Sequence, residues 1–222
     1  MLQASLSKTY EDLHANIPTE VSAPIKRAAT NNKATFYLSS TIQIGDVLPP
    51  FNFPDATGKQ ISSTDILSQG PLLIAFYRGS WYPFCNLTLQ AFQSSFPTIA
   101  AKGVSFPAIT AELPDTSLAA IEKEGLPFSV LSDVENAYAR QLGLVFKQPD
   151  ELGEAFKGLG IDWEKRYGND DFELAVPATL LVDRTIIVRK MFINTEYWKR
   201  LDPKTALKVS FDESEIQMLM KC

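Results

Sequence analysis

The chain has 222 residues, 45% of them hydrophobic and 21% charged, with a formal net charge of −5. That size and balance suit one sizeable core with extensions and exclude a disordered chain, while the acidic charge and the lack of Lys/Arg runs exclude a nucleic-acid footprint. One histidine (His14) and two cysteines (Cys85, Cys222) exclude a disulfide framework and a closed zinc site.

The first forty residues read as helical. Leu2, Leu6, Tyr10 and Leu13 form one apolar stripe, Pro18 breaks it, and Thr19-Glu20 starts a second helix through Val21, Ile25 and Ala28 that stops at Asn31-Asn32-Lys33. This pair is expected to cap the core, to mediate a homodimer, or both. The core begins near Ile44-Gly45-Asp46, with a short strand before the Asp55-Ala56-Thr57-Gly58 turn and a helix from Ser62 to Gly70. Leu72 to Tyr77 is continuously apolar, as a strand buried on both faces must be. The loop from Arg78 to Phe84 feeds a helix with Leu89, Phe92, Phe96 and Ile99 on one face. Strands are expected over 104–109 and 128–131, with helices over 117–124 and 134–142. The runs 178–182 and 186–193 are joined by only Asp183-Arg184-Thr185, so they form an antiparallel hairpin. A last helix is expected near 212–220. The order describes a mixed central sheet flanked by helices, an α/β fold.

Cys85 falls in the first turn of the helix after the loop, where unpaired N–H groups and the positive dipole end favour an anionic sulfur. It also shares a face with Leu89 and Phe92, so it reads either as a reactive thiol or as a packed one. Arg78 is the nearby cation, and Tyr82 offers a phenol as hydrogen-bond donor or general acid. Trp81, Trp163, Tyr167, Tyr197 and Trp198 either line an apolar pocket or pack in the core. His14 reads as a solvated helix residue with nothing to place it near Cys85.

The stretch Phe76-Tyr77-Arg78-Gly79-Ser80-Trp81-Tyr82-Pro83-Phe84-Cys85-Asn86-Leu87 resembles the peroxiredoxin-like branch of the AhpC/TSA family, within the thioredoxin superfamily. Members show Tyr-Arg-Gly-x-Trp-Cys-Pro-x-Cys-Asn-Leu there. Further blocks appear in order: Leu113-Pro114-Asp115, Leu131-Ser132-Asp133, Gly143-Leu144-Val145-Phe146, Val176-Pro177-Ala178-Thr179 and Tyr197-Trp198-Lys199-Arg200-Leu201-Asp202-Pro203. The resemblance implies a thioredoxin-like domain over 41–222, preceded by the helical extension 1–40, and thiol-dependent reduction of peroxides or disulfides.

Two departures bear on activity. Tyr82 stands where the family carries the first cysteine of Cys-x-x-Cys, so no dithiol cycle runs within the motif. Pro177 stands where true peroxiredoxins carry an arginine just before the last hairpin, and by likeness to thioredoxins a cis Val176–Pro177 bond is implied. Cys85 lines up with the peroxidatic cysteine. These readings give Cys85, Arg78 and Tyr82 as catalytic candidates and Trp81, Pro83, Phe84, Asn86 and Pro177 as substrate-binding ones.

The expected activity is that of a one-cysteine peroxidase drawing on glutathione or thioredoxin, with no cofactor and no metal. The rival is a redox-inactive thioredoxin fold whose cleft binds or converts a small organic molecule (an isomerisation, elimination or cyclisation in a biosynthetic pathway). Cys222 is either a resolving thiol or a surface thiol without a role. No apolar run reaches the roughly 20 residues of a membrane span. The first residues lack a secretory pattern, so the expected setting is cytoplasmic.

Overall fold

The computed structural model describes residues 2–206; the helix expected near 212–220 and Cys222 lie outside the described residues. The two leading helices form as the stripe requires: α1 (Leu2–Asn16) buries Leu2 and Leu6, and α2 (Thr19–Thr35) buries Ile25 and Ala28. A small hairpin, β1 (Asn52–Pro54) with β2 (Gln60–Ser62), leads into α3 (Ser63–Gln69), whose first turn is capped by the Ser62 side chain accepting from the Thr64 N–H.

The central sheet has five strands in the order β5 (Val130–Ser132), β4 (Ala108–Thr110), β3 (Leu72–Phe76), β8 (Ala178–Val182), β9 (Val188–Ile193). β3, β4 and β5 run parallel, and β8 and β9 are antiparallel, which makes the sheet mixed. Every residue of β3 is buried. The period of two divides them: Leu73 and Ala75, followed by Tyr77, face the side that holds Cys85, while Leu72, Ile74 and Phe76 face the opposite core. Helix α4 (Pro83–Ala101) covers the first face with Phe84, Cys85, Leu89, Phe92 and Ile99. Helix α5 (Pro114–Glu124) ends at Gly125, whose φ of 63° is the left-handed cap glycine adopts most cheaply.

Between α6 (Ala137–Gln141) and β8 the chain inserts a second hairpin, β6 (Val145–Lys147) with β7 (Glu173–Ala175). It spans two short helices, α7 (Asp150–Gly158) and α8 (Trp163–Tyr167). Helix α1 packs on α4 and α2 packs on α7, so the leading pair lies over the face of the sheet that carries Cys85. The Arg27–Glu151 ion pair ties α2 to α7. A final turn, α9 (Pro203–Ala206), also packs on α4. Among the described residues no helix is long and apolar enough to cross a membrane.

Candidate active site

Tyr82 has extended φ/ψ and is the residue before α4; Pro83 takes the first helical position, where a missing N–H costs nothing. The Cys85 N–H donates to the Tyr82 carbonyl at 2.9 Å, which fixes the cysteine in the first turn. Its thiol is fully buried.

The loop that delivers Cys85 is tied down at nearly every residue. The Arg78 carbonyl accepts from the Tyr167 hydroxyl at 2.9 Å and from Thr110 Oγ1 at 3.2 Å. Ser80 gives its N–H and its hydroxyl to Glu112 at 2.7 and 3.0 Å, and Arg166 closes that cluster with a 2.8 Å ion pair. Trp81 Nε1–H donates to the Tyr167 hydroxyl at 2.6 Å. Burial pushes the Glu112 carboxyl above its usual range, and the Ser80 and Arg166 donors oppose that shift.

Two of the catalytic candidates, Arg78 and Tyr82, are joined by a hydrogen bond, and Tyr82 packs in the core cluster that holds Cys85. Arg78 is only 6% exposed and donates from Nη1 to the Tyr82 hydroxyl at 3.3 Å. Tyr82 is buried, and desolvation pushes its phenol up to about 12 against the opposing pull of Arg78 and Arg200, so it stays a neutral hydroxyl. The remaining candidates lie differently. Trp81 is half-buried against Phe156, Trp163 and Tyr82. Phe84 is wholly inside the core, packed on Tyr82 and Tyr197. Pro83 is exposed. Asn86 turns toward a groove it shares with Ser80 and Arg166, donating to the Ser80 carbonyl at 2.9 Å.

Pro177 is buried between β7 and β8, but the implied cis bond is corrected: the described residues contain no cis peptide. The Val176 N–H donates to the Leu144 carbonyl at 2.7 Å, which anchors the approach to β8 with a trans bond.

Two residues escaped the sequence reading. Arg200 is 8% exposed; its Nη1 donates to the Lys199 carbonyl at 2.8 Å and its Nη2 has no partner. Burial depresses its pKa, while the adjoining Cys85 sulfur supports its charge and Arg78 opposes it. The signal was a cation within the aromatic run Tyr197-Trp198-Lys199-Arg200-Leu201. His14 is the second, and its reading as a solvated residue is corrected. It is half-buried, with Nε2 paired to the Tyr197 hydroxyl at 2.6 Å and Nδ1 to Ser22 Oγ at 3.1 Å. The docking of α1 on the core carries it there, because the face with Leu6 and Tyr10 must be buried.

The chain is similar to known proteins at low identity. Peroxiredoxin Bcp of Escherichia coli strain K12 is 28% identical over 118 residues, covering 53% of this chain and 74% of its own. Peroxiredoxin bcp1 of Schizosaccharomyces pombe is 26% identical over 142 residues, 64% of this chain and 71% of that one. Peroxidoxin BcpB of Mycobacterium tuberculosis superposes with a TM-score of 0.58 at 18% identity, over 80% of this chain and 98% of that one. The yeast mitochondrial 1-Cys peroxiredoxin gives 0.59 at 15% identity, over 81% and 78%. Those structures share the thioredoxin-type fold seen here. Residues 44–191, more than half of the sequence, match the AhpC/TSA family, and the chain belongs to that family.

Proposed function

We propose that the protein is a one-cysteine thiol peroxidase acting through Cys85. The observation that carries this reading is the sulfur's setting: the first turn of α4, beside the buried Arg200 guanidinium and next to Tyr82, whose hydroxyl the buried Arg78 holds. Neither guanidinium makes an ion pair with a carboxylate among the described residues, so the anion that complements them is the thiolate or the oxygen it displaces.

The Cys85 sulfur attacks the nearer peroxide oxygen. An S–O bond forms, the O–O bond breaks, and the electron pair leaves on the distal oxygen, which is released as alcohol or water once it takes the thiol's proton. Sulfur is oxidised by two electrons to sulfenic acid and the peroxide is reduced by two. Guanidiniums held in place by packing stabilise the charge that develops on the departing oxygen. An external thiol then condenses with the sulfenic acid, releasing water and forming a mixed disulfide with Cys85; a second external thiol attacks that bond, frees the Cys85 thiol and leaves joined to the first as their disulfide. Glutathione or thioredoxin suits this role, as in the yeast mitochondrial 1-Cys peroxiredoxin, where thiol resolution runs through glutathione/thioredoxin systems. Because Cys85 is fully buried, the side chains above it must part before a peroxide reaches sulfur, which makes the enzyme slow.

The test is consumption of hydrogen peroxide and of an alkyl hydroperoxide with each reductant, in the wild type and in Cys85→Ser. Turnover in the wild type and none in the variant supports the reading. Equal rates in the two proteins refute it.

A further inference from the structure

We propose that Tyr10 of α1 is a positioning residue, which through Trp198 holds the buried Arg200 guanidinium against the Cys85 sulfur. The family match covers residues 44–191, so α1 and Arg200 both lie outside it. Two segments beyond the matched residues therefore meet over the sulfur.

Arg200 is held inside against its own preference. Desolvation disfavours its charge, and a long cationic side chain turns its head to water whenever its backbone is free to shift. Its Nη1 donates only to the carbonyl of the neighbouring Lys199, and its Nη2 has no partner. The segment before it is a turn closed by its own bonds. The Glu196 N–H donates to Asn194 Oδ1, the Lys199 N–H donates to the Glu196 carbonyl, and the Lys199 and Glu196 side chains form an ion pair. Arg200 therefore goes where Trp198, two residues earlier, is placed.

That turn is docked by α1. His14 Nε2 pairs with the Tyr197 hydroxyl at 2.6 Å, and Gln3 Nε2 reaches the Trp198 carbonyl at 3.5 Å. Among the described residues, these are the hydrogen bonds that join Tyr197 and Trp198 to another element. Tyr197 has a second anchorage, its ring centroid lying 5.3 Å from that of Phe84 in α4. Trp198 stacks on Tyr10, with centroids 4.1 Å apart, and otherwise on Tyr197 of its own turn. Tyr10 is thus the ring that fixes Trp198 from outside the turn. The contact is made through ring faces, so phenylalanine supplies it as tyrosine does. Without it the turn is free to lift, Arg200 moves to solvent, and the charge that supports an anionic sulfur goes with it. Only the effect on peroxide rests on the peroxidase reading; the placing of Arg200 on the sulfur does not.

The experiment compares the full-length wild type with Tyr10→Ala by two readouts. One is the ultraviolet absorbance of the Cys85 thiolate across pH, taken as the difference from the Cys85→Ser form of each protein. The other is stopped-flow oxidation by hydrogen peroxide. In Tyr10→Ala the thiolate is expected to appear only at higher pH than in the wild type, and oxidation to slow by roughly fivefold or more. Tyr10→Phe is expected to restore both. In an Arg200→Gln background, which has no guanidinium to hold, Tyr10→Ala is expected to change neither. If Tyr10→Ala does not fold, Tyr10→Leu, a good helix former without a ring, takes its place with the same expected pattern. An unmoved thiolate profile, faster oxidation, equal losses with and without Arg200, or a Tyr10→Phe protein that behaves as Tyr10→Ala overturns the proposal. The expected thiolate pattern in a protein that consumes no peroxide strikes the peroxidase reading alone; peroxide turnover with an unmoved thiolate profile strikes this proposal alone.

Discussion

The Arg200 guanidinium adjoins the Cys85 thiol, both buried, although one lies in the first turn of α4 and the other in the loop before α9. Because α9 packs on α4, the late segment returns to the helix that carries the cysteine. By the resemblance, Pro177 stands where true peroxiredoxins carry an arginine; Arg200 reaches the sulfur from a different element. Removing a charge-assisted contact costs about 1.5–3 kcal/mol. Arg200→Gln should therefore slow oxidation of Cys85 by roughly 10- to 100-fold, read by stopped-flow mixing with peroxide. A rate within twofold of the wild type, in a variant with unchanged circular dichroism, would remove Arg200 from the mechanism.

Glu112 governs the loop rather than the sulfur. It is fully buried and receives Ser80 twice and Arg166 once. Glu112→Ala strands those donors, a change worth about 3–5 kcal/mol when a buried pair is broken. At about 2–4 °C per kcal/mol for a chain of this size, the melting temperature should drop by roughly 10 °C. A drop smaller than a few degrees would mean that the cluster does not hold the loop.

Gly79 has no room for a side chain. An added Cβ would lie 2.6 Å from Trp81 Nε1 and 2.7 Å from the Tyr167 hydroxyl, against the hydrogen bond that joins them. Gly79→Ala should cost about 1–3 kcal/mol and slow Cys85 oxidation, since the same tyrosine anchors the Arg78 carbonyl. Urea unfolding and the peroxide rate check the two halves separately, and a neutral result in both would contradict the geometry.

His14 makes the docking of α1 sensitive to acid. Burial, and then the charge of Lys26, holds its pKa below the ordinary value of 6.5. As pH falls below 6.5, the unfolded chain takes up a proton that the folded chain resists, so the stability His14 contributes is lost across that range. The urea midpoint should decline between about pH 7 and about pH 5, and His14→Gln should flatten the decline. An identical pH profile in the variant would assign the effect elsewhere.

Much of the frame was legible because burial leaves a periodic mark. The unbroken apolar run at Leu72–Phe76 and the short link between β8 and β9 specified a two-sided strand and an antiparallel neighbour. The β6–β7 hairpin was not legible: its strands are three residues each, only part of them buried, and two helices separate them. The strand expected over 104–109 is shorter than its apolar pattern, since β4 pairs only at Ala108–Thr110 and Pro107 has no N–H to give. Within the site, Arg78, Tyr82 and Cys85 were close in sequence and so readable together. Arg200 and His14 come from distant elements, and only the packing of α9 and α1 brings them near the sulfur or its aromatic surround.

The most direct test of the peroxidase reading is mass spectrometry of the intact protein after one equivalent of hydrogen peroxide, with dimedone present to trap sulfenic acid. We predict one dimedone adduct, mapped to Cys85 and lost in Cys85→Ser. An unmodified Cys85 after the peroxide has been consumed, or an adduct that persists in Cys85→Ser, would contradict it.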